Sequence, residues 1–385
     1  MEWKEYELGK LLLYEQPTAY IVESTDYSDA YNIPVLTAGK SFILGYTNET
    51  TGIFDQLPVI IFDDFTTATQ YVNFKFKVKS SAMKILHINT DLVLPKYVYY
   101  RMQIIQFDHC THKRYWIQQY SKIKIVVPPL PEQERIVANI EEMFSELDKA
   151  VETLRTTEQQ LAVYRQAVLK EAFYAAMQDT PPMMPIEKLL STERKGMSTG
   201  PFGTMIKKHE HQTTGIPMLG IENIGDGKFI DGNKIFVTPE KAKELKSFTL
   251  LEGDIIISRS GTVGELCAVP KRMEGALLST NLMRISLNNY IILSDYFIYL
   301  FQSKGIVLDQ VRELCKGSTR TFLNQTILKQ IKFPVPDISK QKTIVEIIEL
   351  RVSVCDSIEK TVNAALQQAD ALRQSILKEA FERRL

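Results

Sequence analysis

Several things are scarce in this sequence, and each scarcity closes off a class of protein. Its apolar runs fall well short of the roughly 20 residues that a membrane helix needs, so no membrane partner is expected. Only four cysteines occur in 385 residues: Cys110, Cys267, Cys315 and Cys355. No two are close enough to suggest a local metal knuckle, and they read as reduced thiols of a cytoplasmic protein. Histidine is equally rare, and the one dense spot, His109-Cys110-Thr111-His112, reads as a polar loop rather than a metal site. Neither charge sign dominates, because 46 basic residues balance 46 acidic ones. That balance argues against holding nucleic acid by bulk electrostatics alone. The start, Met1-Glu2-Trp3-Lys4-Glu5, is acidic and polar and does not read as a signal peptide.

Signatures of chemistry are missing as well. There is no Asn/Asp-Pro-Pro-Tyr/Phe motif for adenine methylation, no glycine-rich cofactor loop and no Walker motif. The stretch from Gly220 to Gly227 lacks the lysine and hydroxyl arrangement that phosphates require. Ser260-Gly261-Thr262-Val263-Gly264 reads as a turn between strands. Asp63-Asp64 is a lone acidic pair, whereas a nuclease metal site wants further carboxylates and usually a lysine. No catalytic residue, no metal and no cofactor is therefore expected of this chain.

What is present is a repetition. Gln133-Glu134-Arg135-Ile136-Val137 leads to Arg165-Gln166-Ala167-Val168-Leu169-Lys170-Glu171-Ala172-Phe173. Gln341-Lys342-Thr343-Ile344-Val345 leads to Arg373-Gln374-Ser375-Ile376-Leu377-Lys378-Glu379-Ala380-Phe381, at a constant offset of 208 residues. In the first copy Ile136, Ile140, Met143, Leu147, Ala150, Leu154, Thr157, Leu161, Tyr164 and Val168 recur in steps of four and three. That is a heptad seam, and it needs a partner helix. The second copy offers Ile344, Ile348, Arg351, Cys355, Ile358, Val362, Ala365, Ala369, Leu372 and Ile376, so only Thr157 and Arg351 interrupt the two seams. Neither copy contains proline or glycine, and forty-five helical residues would span about 68 Å. A duplicated rod gives a two-fold-like protein, which suits a two-fold-like partner such as duplex DNA.

The expected fold is therefore mixed α/β. Two globular domains, 1–131 and 179–339, are separated by two long helices, 132–178 and 340–385, that form an antiparallel coiled coil. Pro128-Pro129-Leu130-Pro131 closes the first domain, and proline is well tolerated at a helix start. Val59-Ile60-Ile61-Phe62 reads as a buried strand. Tyr71 to Val78 alternates and reads as one half-exposed strand. Ile33 to Leu36, Pro58 to Asp63 and Ile88 to Tyr97 are loosely echoed by Ile216 to Leu219, Asp254 to Arg259 and Leu287 to Tyr296. The first rod is acidic, with 5 basic and 9 acidic residues in 132–178, whereas 179–339 leans basic, 20 against 17. Nucleic acid is thus expected on globular parts. The short link Asp179 to Pro185 decides the pairing: the second domain begins where the first rod ends, so the second rod runs back along the first. Ten seam residues per helix, at roughly 1–2 kcal/mol for each large apolar side chain, suffice to hold such a pair together.

Taken together, these features resemble the specificity subunits of type I restriction–modification systems, over essentially the whole chain. The resemblance rests on Trp3-Lys4-x-Tyr6-x-Leu8-Gly9, on Pro128 through Val137, on Leu169-Lys170-Glu171-Ala172-Phe173 and on the two-copy plan. At the second junction, Pro336 to Gln341 keeps the first proline and the glutamine but not the leucine, proline and glutamate between them. The resemblance implies two target recognition domains, each reading one half of a split, asymmetric sequence in the major groove of double-stranded DNA. It implies helices that act as spacer and as docking surface for two methyltransferase subunits, which carry S-adenosylmethionine and methylate N6 of adenine. A third, ATP-driven restriction subunit translocates and cuts DNA where present. The chain itself would be a non-catalytic, cytoplasmic DNA-binding subunit.

Reading bases requires hydrogen-bonding side chains on loops beside cations that hold phosphates. In the first domain the candidates are Tyr46, Thr66, Thr67 and Gln70, the lysine row Lys75, Lys77 and Lys79, and Lys113 with Arg114. In the second they are Lys207, Lys208, Arg259, Ser260, Lys271 and Arg272, together with Lys316, Ser318, Thr319 and Arg320 around Gly317. Two other readings stand beside this one: a coiled-coil adaptor without a DNA role, and the recognition arm of another type of restriction–methylation enzyme.

Overall fold

The computed structural model describes residues 3–37, 41–107, 114–202, 205–260, 263–315 and 323–382. The chain divides into two units. The first is Met1–Arg155 with Asn363–Leu385, and the second is Thr156–Val362.

Both units use one plan. In the first, Leu12–Glu15, Met83–Ile88, Val59–Asp63 and Thr69–Val72 form an antiparallel sheet in that order. Ile43–Thr47, Ile33–Leu36 and Lys77–Val78 form a smaller sheet whose last pairing is parallel. Lys4–Glu7 pairs with Lys124–Val127. The second unit repeats this order with Met197–Thr199, Leu282–Ile285, Ile255–Ser258 and Leu266–Ala268. Its smaller sheet is Ile235–Val237, Ile216–Leu219 and Leu277–Leu278, again with a parallel last pairing, and Met183–Pro185 pairs with Lys332–Pro334. The central strands are apolar at successive positions because both of their faces are covered. Ile60 and Phe62 enter one core cluster, and Val59 and Ile61 another. Likewise Ile255 and Ile257 face one core while Ile256 faces a second.

The long helices are Leu130–Met177 and Ile338–Phe381. The first has 48 residues and is about 72 Å long. Their pairing is antiparallel, as the link between them requires. In the second unit, Arg165 bonds Asp356, Glu171 meets Arg351, and Asp179 meets Lys340. As numbers rise along one helix they fall along its neighbour. In the first unit Ile136, Val137, Ile140 and Phe144 share a core with Ile376, Leu377 and Ala380. Asp148 pairs with Arg373, the counterpart of the Arg165–Asp356 pair at the same 208-residue offset.

Each globular part grips a helix start through one buried glutamine. Gln133 accepts from the Leu94 amide and donates to the carbonyls of Leu92 and Pro128, at 2.7–3.1 Å. Gln341 does the same with Leu293, Ile291 and Pro336. Both side chains are wholly inaccessible. A tyrosine completes each joint: Tyr97 donates to the Val126 carbonyl and stacks edge-on to Phe381, and Tyr296 donates to Pro334 and meets Phe173.

Two expectations are corrected. Tyr71 to Val78 is not one strand, because Thr69–Val72 and Lys77–Val78 belong to different sheets. The alternation of burial holds from Val72 to Phe76 and ends at Lys77, which is buried like Phe76 and Val78 on either side of it. The seam also departs from a strict heptad. Ile136, Ile140, Leu161, Ile344, Ile348 and Val362 are buried, and Leu147 and Leu154 are half-buried. Ile358 and Leu372, however, are 40% and 51% exposed, and Tyr164 is exposed too. At four seam positions the more buried residue lies one place later: Phe144 after Met143, Arg165 after Tyr164, Val352 after Arg351, Arg373 after Leu372. The reason is that the helices do not pair only with each other. Phe144 meets Tyr100 of the globular part at 5.6 Å, and Val352 joins the second unit's core. The buried stripe is therefore wider than a two-helix seam and turned toward the sheets.

Candidate nucleic-acid interface

Several of the first unit's candidates are gathered by the end of strand Val59–Asp63. Asp63 caps the following turn, its Oδ1 accepting from the amides of Phe65 and Thr66 at 2.7 and 2.9 Å. Asp64 turns inward, pairs with the buried Lys84 at 3.4 Å and accepts from the Trp116 amide. Its carbonyl accepts from Tyr115. This lone acidic pair is thus a fastening rather than a metal site. It leaves Thr66 exposed, holds Thr67 at φ 57° and brings exposed Arg114 to the same corner. Gln70 follows on the neighbouring strand, half-buried. Exposed Phe65 belongs to this turn too, although nothing in its local sequence sets it apart from a core residue.

The remaining first-unit candidates lie elsewhere. Tyr46 is half-buried in the smaller sheet. Lys79 is exposed, and Lys75 is exposed beside Asp55 at 3.6 Å. Lys77 is corrected outright as a surface cation. It is 3% exposed, pairs with Glu49 at 2.6 Å and donates to the Thr51 carbonyl. Burial pulls the Glu49 carboxyl upward, but the hydrogen bond from Lys77 and those from the Ser24 and Glu23 amides leave it below the usual carboxylate range. Lys113 lies outside the described residues.

The second unit builds the same corner from different side chains. The Arg259 amide donates to Asn281, and the Arg259 carbonyl accepts from Leu323 at 3.0 Å. Those bonds mirror Asp64 with Ala82 and Tyr115 in the first unit. The guanidinium is half-buried and donates to the carbonyls of Leu323 and Thr280 at 3.4 and 3.3 Å. Burial lowers its pKa, yet a guanidinium remains charged at any relevant pH. Ser260 follows it, half-buried, and its carbonyl accepts from the Ser258 hydroxyl. Lys316, Ser318, Thr319 and Arg320 lie outside the described residues.

Lys207 and Lys208 are exposed. Lys271 and Arg272 do not join Arg259. They follow Ala268, which pairs with Ile255 at the far end of the strand, about 13 Å away at 3.3 Å per residue. Arg272 is occupied by a two-point ion pair with Asp231 and lies over the Phe229 ring.

The family described as "Type I restriction modification DNA specificity domain" matches residues 1–162 and 202–368. The chain is similar to the EcoR124I/EcoR124II type I restriction enzyme specificity subunit of Escherichia coli, with 32% identity across 97% of this chain and 91% of that one. The StySPI specificity subunit of Salmonella potsdam is 25% identical, across 68% and 58%. A solved structure from a study of complex assembly and conformational transition in a type I R-M system matches with a TM-score of 0.66 and 14% identity, covering 100% of this chain and 98% of the other. That likeness concerns the fold.

Proposed function

The chain belongs to the type I restriction modification DNA specificity family, and we propose that it is the non-catalytic subunit that reads a split, asymmetric DNA site for methyltransferase partners. The observation that carries this reading is one scaffold used twice with different side chains at the same corner. The first unit presents the hydroxyls of Thr66 and Thr67, and the second presents the guanidinium of Arg259. Hydroxyls donate and accept, whereas a guanidinium only donates, so the two corners select different base edges in the major groove. Exposed Lys79, Arg114, Lys207 and Lys208 are the phosphate contacts of this reading.

The helices supply what the two readers share. An outward apolar row on the second long helix, Ile347, Leu350, Val354 and Ile358, is 40–72% exposed and supports a methyltransferase subunit seated there. The positions 208 residues earlier are Asn139, Glu142, Glu146 and Ala150, so the two helices offer unequal surfaces. An ATP-driven restriction subunit belongs to the assembly where the host supplies one.

Arg259 provides the direct test. Arg259→Ala, assayed with partners present on targets varied one base at a time, should relax one position by about 1–3 kcal/mol. Equal weakening on every target would assign Arg259 to phosphate instead.

A further inference from the structure

The same cleft occurs in both units, narrow in one and wide in the other. In the second unit Tyr299, Gln302, Arg165 and Gln166 line a cavity of about 180 Å³. In the first, the corresponding Tyr100, Gln103, Arg373 and Gln374 line one of about 570 Å³. The arginine of each cleft is held by an aspartate from the opposite long helix: Arg165 by Asp356, and Arg373 by Asp148.

What differs is a plug. Between Ile216–Leu219 and Ile235–Val237 the second unit inserts a hairpin, Ile224–Gly225 with Lys228–Phe229. Asp226 and Gly227 turn its tip with φ of 48° and 77°, the pair of positive values that a type I′ turn requires. Gly227 fits so closely that a Cβ there would come within 2.7 Å of the Gln302 amide nitrogen. Lys228 reaches past it to Asp356, which therefore meets two cations. Burial works to raise the Asp356 carboxyl, yet hydrogen bonds from Lys228 and Arg165 hold it below the usual range. The first unit joins the equivalent strands Ile33–Leu36 and Ile43–Thr47 through residues 37–42 alone, too few for such an insertion. Its Asp148 meets one cation, Arg373, among the described residues. Glu152 adds a further carboxylate to the wall, while Glu141 is engaged by Lys96.

We propose that the first unit's cleft receives a lysine-bearing turn of a partner protein, supplied in trans as Gly227-Lys228 is supplied in cis. The chemistry of the walls selects that occupant. The carboxylates of Asp148 and Glu152 stand beside the cations Lys149 and Arg373, and a further cation set against Asp148 restores the two-cation arrangement of Asp356. Tyr100 also lines the cleft, and an aromatic face accepts both the aliphatic stem and the charge of lysine, as the Phe144 ring already does for Arg373 at 4.3 Å. A chain carrying one narrowed and one wide cleft then has two inequivalent docking faces.

The test has two arms. A cyclised peptide of residues 222–231, holding the Asp226-Gly227 turn, is titrated against the full chain beside its Lys228→Ala version. The lysine peptide should bind about two- to fivefold more tightly, the scale of one exposed ion pair. Asp148→Asn or Glu152→Gln in the chain should shrink that ratio, with thermal melting showing that both variants fold. No saturable binding at millimolar peptide, or equal binding by the two peptides, overturns the proposal. In the second arm, a photo-crosslinker at Gln103 in the reconstituted methyltransferase assembly should capture a partner peptide containing lysine at a turn. Capture of DNA, of a second copy of this chain or of nothing overturns it. Only the second arm rests on the family reading, so a failure of that reading leaves the peptide result standing.

Discussion

Gln133 and Gln341 show how single residues set the construction. Each satisfies two carbonyls and one amide where a helix meets a globular part, in places water does not reach. Unsatisfied buried polar groups cost about 1–3 kcal/mol each. Gln341→Ala should therefore destabilise the second unit by at least about 2 kcal/mol, read as a lower denaturation midpoint. Little change would mean that the backbone groups find other partners. The sequence displays these glutamines as a repeated motif but not their task, because a glutamine spelled beside prolines looks like surface. Lys77 misleads in the opposite direction. Its place in an alternating row reads as a solvated face, and only the distant Glu49, brought in by the fold, makes its burial tolerable.

At the level of elements, the long helices were legible and their facing only partly so. Repetition without proline or glycine marks both rods, and the short link between copies implies their direction. A heptad count, however, assumes a single partner. Here each helix also serves as the floor of a core, as the clusters around Phe144 and Val352 show. That moves several contacts one residue along and leaves Ile358 and Leu372 largely exposed. Ile358→Lys and Leu372→Lys should thus stay within about 0.5 kcal/mol of the parent in stability, while Ile348→Ala should cost about 2–5 kcal/mol. Thermal or denaturant unfolding separates these outcomes, and comparable losses at all three sites would restore the strict heptad. The sheets were harder to read. Central strands such as Val59–Asp63 announce themselves by unbroken apolar runs, but most edge strands, at two to four residues, carry too little pattern. The Ile224–Phe229 hairpin lies within a glycine-containing stretch that reads only as not being a phosphate loop.

For the molecule as a whole, duplication is the governing fact. Two units with one strand order and matching joints to the long helices differ at the corner after the central strand, Thr66 and Thr67 against Arg259. The repeat is plain in the sequence because the helices kept it, and faint in the globular parts, a divergence that the proposed reading of two different half-sites demands. The candidate interface was legible to the same extent. Strand-end residues lie together with Arg114 in one unit and stand at the equivalent corner in the other, whereas Lys271, Arg272 and Lys77 stand out in the sequence by charge alone, and charge does not say where a side chain lies. Mapping methylated adenines across host DNA, with and without the gene for this chain, tests the two-reader claim most directly. The predicted result is a two-part asymmetric motif with a fixed gap that vanishes on deletion. A continuous or palindromic motif, or one that survives deletion, would contradict it.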